Sequence, residues 1–263
     1  MKKLYALLLV GVALTFSACS DNKSSSKTIT VGATPVPHAE ILEFVKPLLA
    51  KEGYTINIQV FNDYVIPNIA VFNGEIDANF FQHTPYLTQF NKDKNTDLVK
   101  TVSVHLEPIG IYSAKLASVH ELSDGDSIAI PNDPTNANRA LEVLQAAGII
   151  KLNNEKDVKT KLDIVENPKN IEIVELEAPQ LPRTINDFAL SVINTNFAIA
   201  ANLNPLKDAL FLESKDSPYA NILVVKKGNE NKEGIKALNK VLNSEEVRGF
   251  IREKYQGAIL EAF

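Results

Sequence analysis

From residue 28 onward the apolar positions change repeatedly between two periods. Ile29–Thr34 alternates and is β-branched, which predicts a strand. Ile41, Leu42, Val45, Leu48 and Leu49 then recur at helical spacing as far as Gly53, which predicts a helix kinked at Pro47. Ile56–Phe61 reads as a second strand. A short helix over Pro67–Asn73 leads to a third strand over Ile76–Phe81, and another helix opens at Thr84-Pro85. Residues 99–113 hold one or two strands, broken near Pro108 and Gly110. Ser127–Asp133 predicts a further strand, and Ala137–Gly148 a helix with Leu141, Leu144 and Ala147 on one face. A polar stretch around Lys151–Lys161 separates it from Ile171–Glu177. Pro179–Asp187 reads as a short helix entered through proline, and Phe188–Ala198 as strand running into helix. Ala220–Gly228 is the last strand, and two amphipathic helices between Glu230 and Tyr255 close the chain.

Strands alternating with helices mean βαβ units and mostly parallel sheets, an α/β fold class. The alternation restarts near Ser127, which predicts two lobes, the second inserted in the first. Pro108–Ala114 and Tyr219–Val225 are the expected crossing strands. Lobe 1 takes residues 28–111 plus 225–263, and lobe 2 takes residues 112–224.

The N-terminus changes the picture. Two lysines precede an apolar run of 15 residues, Leu4–Ala18, the pattern of a secretory signal over residues 1–18. The run is shorter than the roughly 20 residues a spanning helix needs. Cys19 is the only cysteine, which excludes an intramolecular disulfide and a Cys-rich zinc site. Phe16-Ser17-Ala18-Cys19 resembles a bacterial lipobox, with phenylalanine where leucine is usual. Cleavage before Cys19 and acylation of its thiol, palmitate included, would anchor the folded part without spanning the membrane. Residues 19–27 form a Ser- and Lys-rich flexible tether. Removal of the signal leaves 25 basic against 32 acidic residues, a net charge of −7. Such an acidic chain is a poor match for nucleic acid, which wants a basic patch.

In open α/β sheets ligands bind beyond the carboxyl ends of strands. Those ends carry Thr34–His38, Asn62-Asp63-Tyr64, Phe80–Tyr86, then His105, Glu107 and Tyr112, then Asn132–Arg139 and Asn194–Phe197. They are rich in rings and amides. Nucleophile elbow, P-loop, HExxH and GxGxxG signatures are all absent from the sequence, and no nucleophile is paired with a base, so an enzyme is not expected. His38, His83, His105 and His120 are scattered, and without acidic or cysteine ligands at metal spacing no metal and no cofactor is expected. Arg139 reads as lying in the first turn of a helix, where a cation is mildly unfavourable. A strand end, an amide-rich turn and a helix N-terminus make an anion site. Arg139 then supplies a bidentate clamp for a carboxylate. The plain alternative is a solvated surface arginine. Tyr64, Phe81, Tyr86 and Tyr112 are either core or the apolar side of a small-ligand pocket.

Five stretches carry a resemblance spread over nearly the whole mature chain: ITVGATPVPHAEILEFVKPLLAKEGY, FNDYVIPNIAVFNGEIDANFFQHTPYL, VHLEPIGIYS, AIPNDPTNANRAL and ALSVINTNFA. Together they resemble the NlpA/MetQ-like methionine-binding lipoproteins, substrate-binding proteins of ABC importers. The resemblance implies a two-lobed periplasmic-binding fold of type II-like form with a hinge. It implies that Arg139 holds the ligand carboxylate with Asn136 nearby, and that Asn194 binds the amino acid's polar end. It also implies an aromatic slot for the thioether from Tyr64, Phe81, His83 and Tyr112, with Tyr86 beside them. The expected ligand is methionine, with another small amino acid or a dipeptide as the alternative. The expected partners are an ABC permease and its ATPase, and the expected place is the cell envelope, outside the cytoplasm. A lipoprotein scaffold or adhesin and a histidine-based metal receptor are the rivals of a different class.

Overall fold

The structure, a computed structural model, describes residues 27–153 and 155–263. The expected signal segment, the lipidation site Cys19 and all but the last residue of the tether lie outside the described residues. Among the described residues, no helix is long and apolar enough to cross a membrane.

The first lobe begins with β1 (Thr28–Ala33), α1 (Glu40–Lys51), β2 (Thr55–Val60), α2 (Ile66–Asn73), β3 (Ala78–His83), α3 (Thr84–Lys94) and β4 (Leu98–Leu106). The second holds β5 (Gly110–Tyr112), β6 (Ser127–Pro131), α4 (Pro134–Ala146), the antiparallel pair β7 (Lys151–Leu152) and β8 (Ile164–Glu166), and β9 (Glu172–Leu176). It continues with β10 (Leu190–Ile193), α5 (Thr195–Ala200), the short α6 (Pro205–Asp208) and β11 (Phe211–Leu212). The chain then returns to the first lobe with β12 (Asn221–Lys226), α7 (Glu233–Leu242), α8 (Glu245–Tyr255) and β13 (Leu260–Glu261).

The two main sheets run β13-β4-β12-β3-β1-β2 and β11-β5-β10-β6-β9. β1 pairs parallel with β2 and β3, and β6 with β9 and β10. β12 lies antiparallel to both β3 and β4, and β5 antiparallel to β10. The sheets are therefore mixed, not mostly parallel as the alternation of elements implied. The physical reason lies at the crossings. A strand reached through a helical crossover runs parallel to its neighbour, but β5 and β12 arrive from the other lobe and enter from the opposite end. β12 belongs wholly to the first sheet, whereas the expected lobe boundary at 224/225 cuts through it.

Each sheet is covered on both faces, as parallel βαβ strands require. In lobe 1, α1 buries Ile41, Leu42, Val45 and Leu49 in one cluster with Leu238 of α7 and Ile251 of α8. On the other face Val71 of α2 and Leu87 and Phe90 of α3 pack with Phe81 and Ile222. In lobe 2, Leu141 and Leu144 of α4 pack with Ile128 and Ile130. α1 runs unbroken through the exposed Pro47. The expected helix over Pro179–Asp187 is only a 3-10 turn, Ala178–Gln180, because Pro179 and Pro182 withhold the N–H donors an α-helix would need.

Candidate functional site

β3 is buried along its whole length despite three polar residues. Asn79 and Gln82 are satisfied by an amide network. Asn79 Nδ2 donates to Asn68 Oδ1 at 2.8 Å, and Gln82 Nε2 donates to the same oxygen at 2.6 Å. Asn68 Nδ2 donates back to Gln82 Oε1 at 3.0 Å. The network holds Phe81, Gln82 and His83 rigidly on the lobe 1 wall of a narrow cavity between the lobes.

The aromatic part of that wall is Tyr64, Phe81 and Tyr86. Tyr64 and Phe81 stack at 5.7 Å between ring centroids, and Tyr86 stands edge-on to both at 5.9 and 6.0 Å. Tyr86 Oη donates to the Tyr64 carbonyl at 2.9 Å, which fixes the pair. Across the cleft Tyr64 Oη donates to Asn196 Oδ1 at 2.6 Å, and its ring meets Phe197 at 5.0 Å.

The lobe 2 wall is built on two helix starts. Asp133 caps α4, accepting from Asn136 N at 2.9 Å through Oδ1 and from Asn136 Nδ2 at 2.9 Å through Oδ2. Asn136 Oδ1 is thereby turned to the cleft. It accepts from Asn194 Nδ2 at 2.9 Å and lies 3.2 Å from His83 Nε2. His83 Nδ1 accepts the Tyr86 backbone N–H at 3.2 Å, so Nε2 carries the proton and donates across the cleft. His83 thus joins a hydrogen-bonded chain between the lobes in addition to its place beside the rings. Burial, and then the nearby Arg139, lower its pKa to about 3, so it is neutral. Asn194 Oδ1 is buried and has no partner among the described residues. A lone buried acceptor on a cavity wall suits an N–H donor from a ligand.

Arg139 lies in the second turn of α4, because Asp133 and Pro134 start the helix earlier than the periodicity indicated. Its charge is therefore not set against the positive helix end. The side chain is buried, and Glu213 takes its bidentate edge: Nε donates to Oε1 at 2.9 Å and Nη2 to Oε2 at 2.5 Å. Nη2 also donates to the Glu107 carbonyl at 2.7 Å, and the guanidinium lies 4.3 Å over the Tyr219 ring. Nη1 donates to no described residue.

Seven expected residues line one cavity: Tyr64, Phe81, His83, Tyr86, Asn136, Arg139 and Asn194. Tyr112 does not join them. It is fully buried in the lobe 2 core with Leu181, Ile193 and Phe197, since β5 turns its face inward. Gln82, Glu107, Thr195, Asn196 and Asn221 also line the cavity and were not expected as ligand residues. Asn221 escaped because it opens a strand. β12 runs antiparallel, so the start of that strand, and not its end, reaches the ligand edge.

Beside the cavity, β4 and the turn after β1 bring His38, His105 and Glu107 together, with possible ligand atoms within 4.8 Å of one another. His105 Nε2 lies 2.7 Å and His38 Nε2 3.2 Å from Glu107 Oε1. Two of the histidines scattered in sequence thus converge in space with a carboxylate, while His120 stays exposed. A metal on His105 Nε2 would move the proton to Nδ1, which has no partner among the described residues. That would bury an unsatisfied donor. The donor set suits a hydrogen-bonded cluster, in which His105 Nε2–H donates to the Glu107 carboxylate while the His38 Nε2 hydrogen bond goes to Asn221 Oδ1. Burial raises the Glu107 pKa, while His38, Arg139 and the Asn196 backbone N–H favour its ionised form.

Comparison with known proteins identifies the family. The chain is 45% identical over 273 residues to the methionine-binding lipoprotein MetQ of Bacillus subtilis, covering 99% of this chain and 98% of that one. It is 43% identical over 260 residues to the D-methionine-binding lipoprotein MetQ of Salmonella typhi, covering 97% and 95%. Among solved structures, a nutrient binding protein from Burkholderia cenocepacia bound to methionine superposes with a TM-score of 0.87 at 43% identity, covering 89% of this chain and all of that one. Residues 29–263 match the family described as NlpA lipoprotein, with its two-lobed substrate-binding fold, and the chain belongs to that family.

Proposed function

We propose that the protein captures methionine between its two lobes and delivers it to an ABC importer. The observation that carries this reading is the pairing of a polar end and an aromatic wall in one cavity. An amino acid zwitterion needs a cation and an acceptor set a short distance apart. Arg139 Nη1 faces the ligand carboxylate, sharing the guanidinium with Glu213. Asn194 Oδ1, with no partner among the described residues, and the Glu107 carboxylate face the ammonium group. Tyr64, Phe81 and Tyr86 receive the thioether, since sulfur–ring contacts contribute about 0.3–1.5 kcal/mol. Hinge closure brings the two walls together and makes no bond. Lobe 1 is then residues 28–111 with the C-terminal segment from Asn221, and lobe 2 is the part between. Acylated Cys19 tethers the domain to the envelope outside the cytoplasm, within reach of a permease and its ATPase.

Thermal unfolding of the soluble chain from Ser20 tests this, after refolding to remove carried ligand. Ligand at about a thousand times its dissociation constant adds roughly 4 kcal/mol, a shift of several degrees. A shift with methionine alone is expected. A shift with another amino acid or a dipeptide instead replaces the ligand, and no shift with any rejects the receptor reading.

Asn194→Ala probes the ammonium contact separately. It is expected to weaken methionine about tenfold or more, since hydrogen bonds to charged groups contribute about 1.5–3 kcal/mol. Binding of 4-(methylthio)butanoate, which lacks the amino group, should change far less. Equal losses for the two ligands, read by calorimetry, would reject the assignment.

A further inference from the structure

We infer that His38 is a positioning residue of this site: it orients the Asn221 amide, and with it the Glu107 carboxylate, toward the ligand. The inference rests on the ligand reading above. His38 sits in the turn after β1, is 1% exposed and does not itself line the cavity. Both of its ring nitrogens are engaged. Nδ1 lies 2.7 Å from Thr34 Oγ1, while Nε2 lies 3.0 Å from Asn221 Oδ1 and 3.2 Å from Glu107 Oε1. Phe80 meets the ring edge-on at 4.7 Å and His105 lies at 4.9 Å, so the imidazole cannot turn without disturbing the core.

The partners determine the tautomer. Both groups facing Nε2 are acceptors, so Nε2 carries the proton, and Nδ1 accepts from the Thr34 hydroxyl. A primary amide can present either its oxygen or its NH2 by rotating half a turn. His38 holds the Asn221 oxygen inward, which leaves Nδ2, a donor, as the group this side chain offers the cavity. The same nitrogen packs 3.2 Å from Glu107 Oε1 and limits its movement on that side, while His105 Nε2 donates to this oxygen at 2.7 Å. A buried residue behind the wall thereby sets one donor and one acceptor for a zwitterion. This connection also ties the returning strand β12 to the end of β4, the two places where the chain crosses between lobes.

The test has one arm without ligand and one with methionine. In the ligand-free protein, the ring 15N shifts of His38 at neutral pH should show Nε2 protonated, and an Nδ1–H tautomer overturns the inference. In the second arm, methionine dissociation constants are measured for His38→Met, His38→Gln and Asn221→Ala. Glutamine keeps a donor near the Nε2 position, and methionine keeps bulk without one. His38→Met is expected to weaken binding at least tenfold and His38→Gln less than threefold. Combined with Asn221→Ala, His38→Met should cost at least threefold less than it does alone, since the two residues act through one contact. Equal losses in the Met and Gln variants, or fully additive losses in the double variant, overturn the inference. Should His38→Met fail to fold, His38→Asn replaces it, with its short amide out of reach of Asn221, and equal affinity of the Asn and Gln variants counts against the idea. A wild-type protein that does not bind methionine defeats the ligand reading alone, and the tautomer arm still decides the role of His38.

Discussion

Arg139→Ala is expected to destabilise the fold by about 3–5 kcal/mol as well as to abolish tight binding, because removing one member of a buried ion pair strands the other. Glu213 is only 11% exposed and receives two hydrogen bonds from the guanidinium. The Glu107 carbonyl loses a donor and Tyr219 a stacked cation in the same step. The ligand carboxylate loses its charge partner too, which predicts at least a tenfold weaker complex. The two effects separate in the double variant Arg139→Met, Glu213→Gln. Removing both charges should return most of the stability while leaving methionine binding weak. Urea midpoints and calorimetry read them independently. An alanine variant with the wild-type midpoint would show that the pair does not form in solution. Wild-type affinity would reject Arg139 as the carboxylate anchor.

Acid is expected to remove a large share of the protein's stability between pH 6.5 and 4. Burial lowers His38 to about 4, and His83 and His105 to about 3, from 6.5 in the unfolded chain. The native state keeps all three neutral while the unfolded chain takes up protons as pH falls through 6.5. The unfolded state then binds more protons, so stability falls with pH. Each histidine contributes about 1.4 kcal/mol per pH unit, so the three together make a slope of roughly 4 kcal/mol per unit, steep against a typical domain stability of about 5–15 kcal/mol. This contribution is whole above pH 6.5, and its loss levels off only below the native values. Glu107 and Asp133 act in the opposite sense, since burial raises both. Their native carboxyls take up protons before the unfolded ones do, which offsets part of the loss. The urea midpoint should drop steeply from pH 7 to pH 5, and less steeply in His83→Gln. A flat midpoint over that range would mean the imidazoles are not buried neutral.

The predictive stretches were those whose structure is decided locally. The alternation in Ile29–Thr34 and the helical spacing from Ile41 to Leu49 recur as β1 and α1, because each periodic face needs one cover and finds it within its own βαβ unit. Pro179 and Pro182 predict a helix that does not form, for a related reason. Proline is compatible with a helix start, and only the next residues' hydrogen bonds decide whether a helix follows. In the site, ring and amide residues at strand ends were legible because parallel strands present those ends to a ligand. Tyr112 had the right residue type and position, but the inward turn of β5 sent it to the core.

By itself the sequence determined the α/β class, the two-lobed plan, and a cleft rich in amides and rings around Arg139. These follow from periodicity, turn chemistry and residue type, all of which act over a few residues. Only the tertiary structure decided which charges and amides meet. Glu213 pairs with Arg139 across 74 residues of chain, and His38 reaches Asn221 across 183. The first contact exists because β11 pairs antiparallel with β5 and delivers Glu213 beside α4, and the second because β12 re-enters the first sheet against the direction of its neighbours. The physical reason is that hydrogen-bond partners are selected by distance in space after the sheets close, and no local pattern carries that distance.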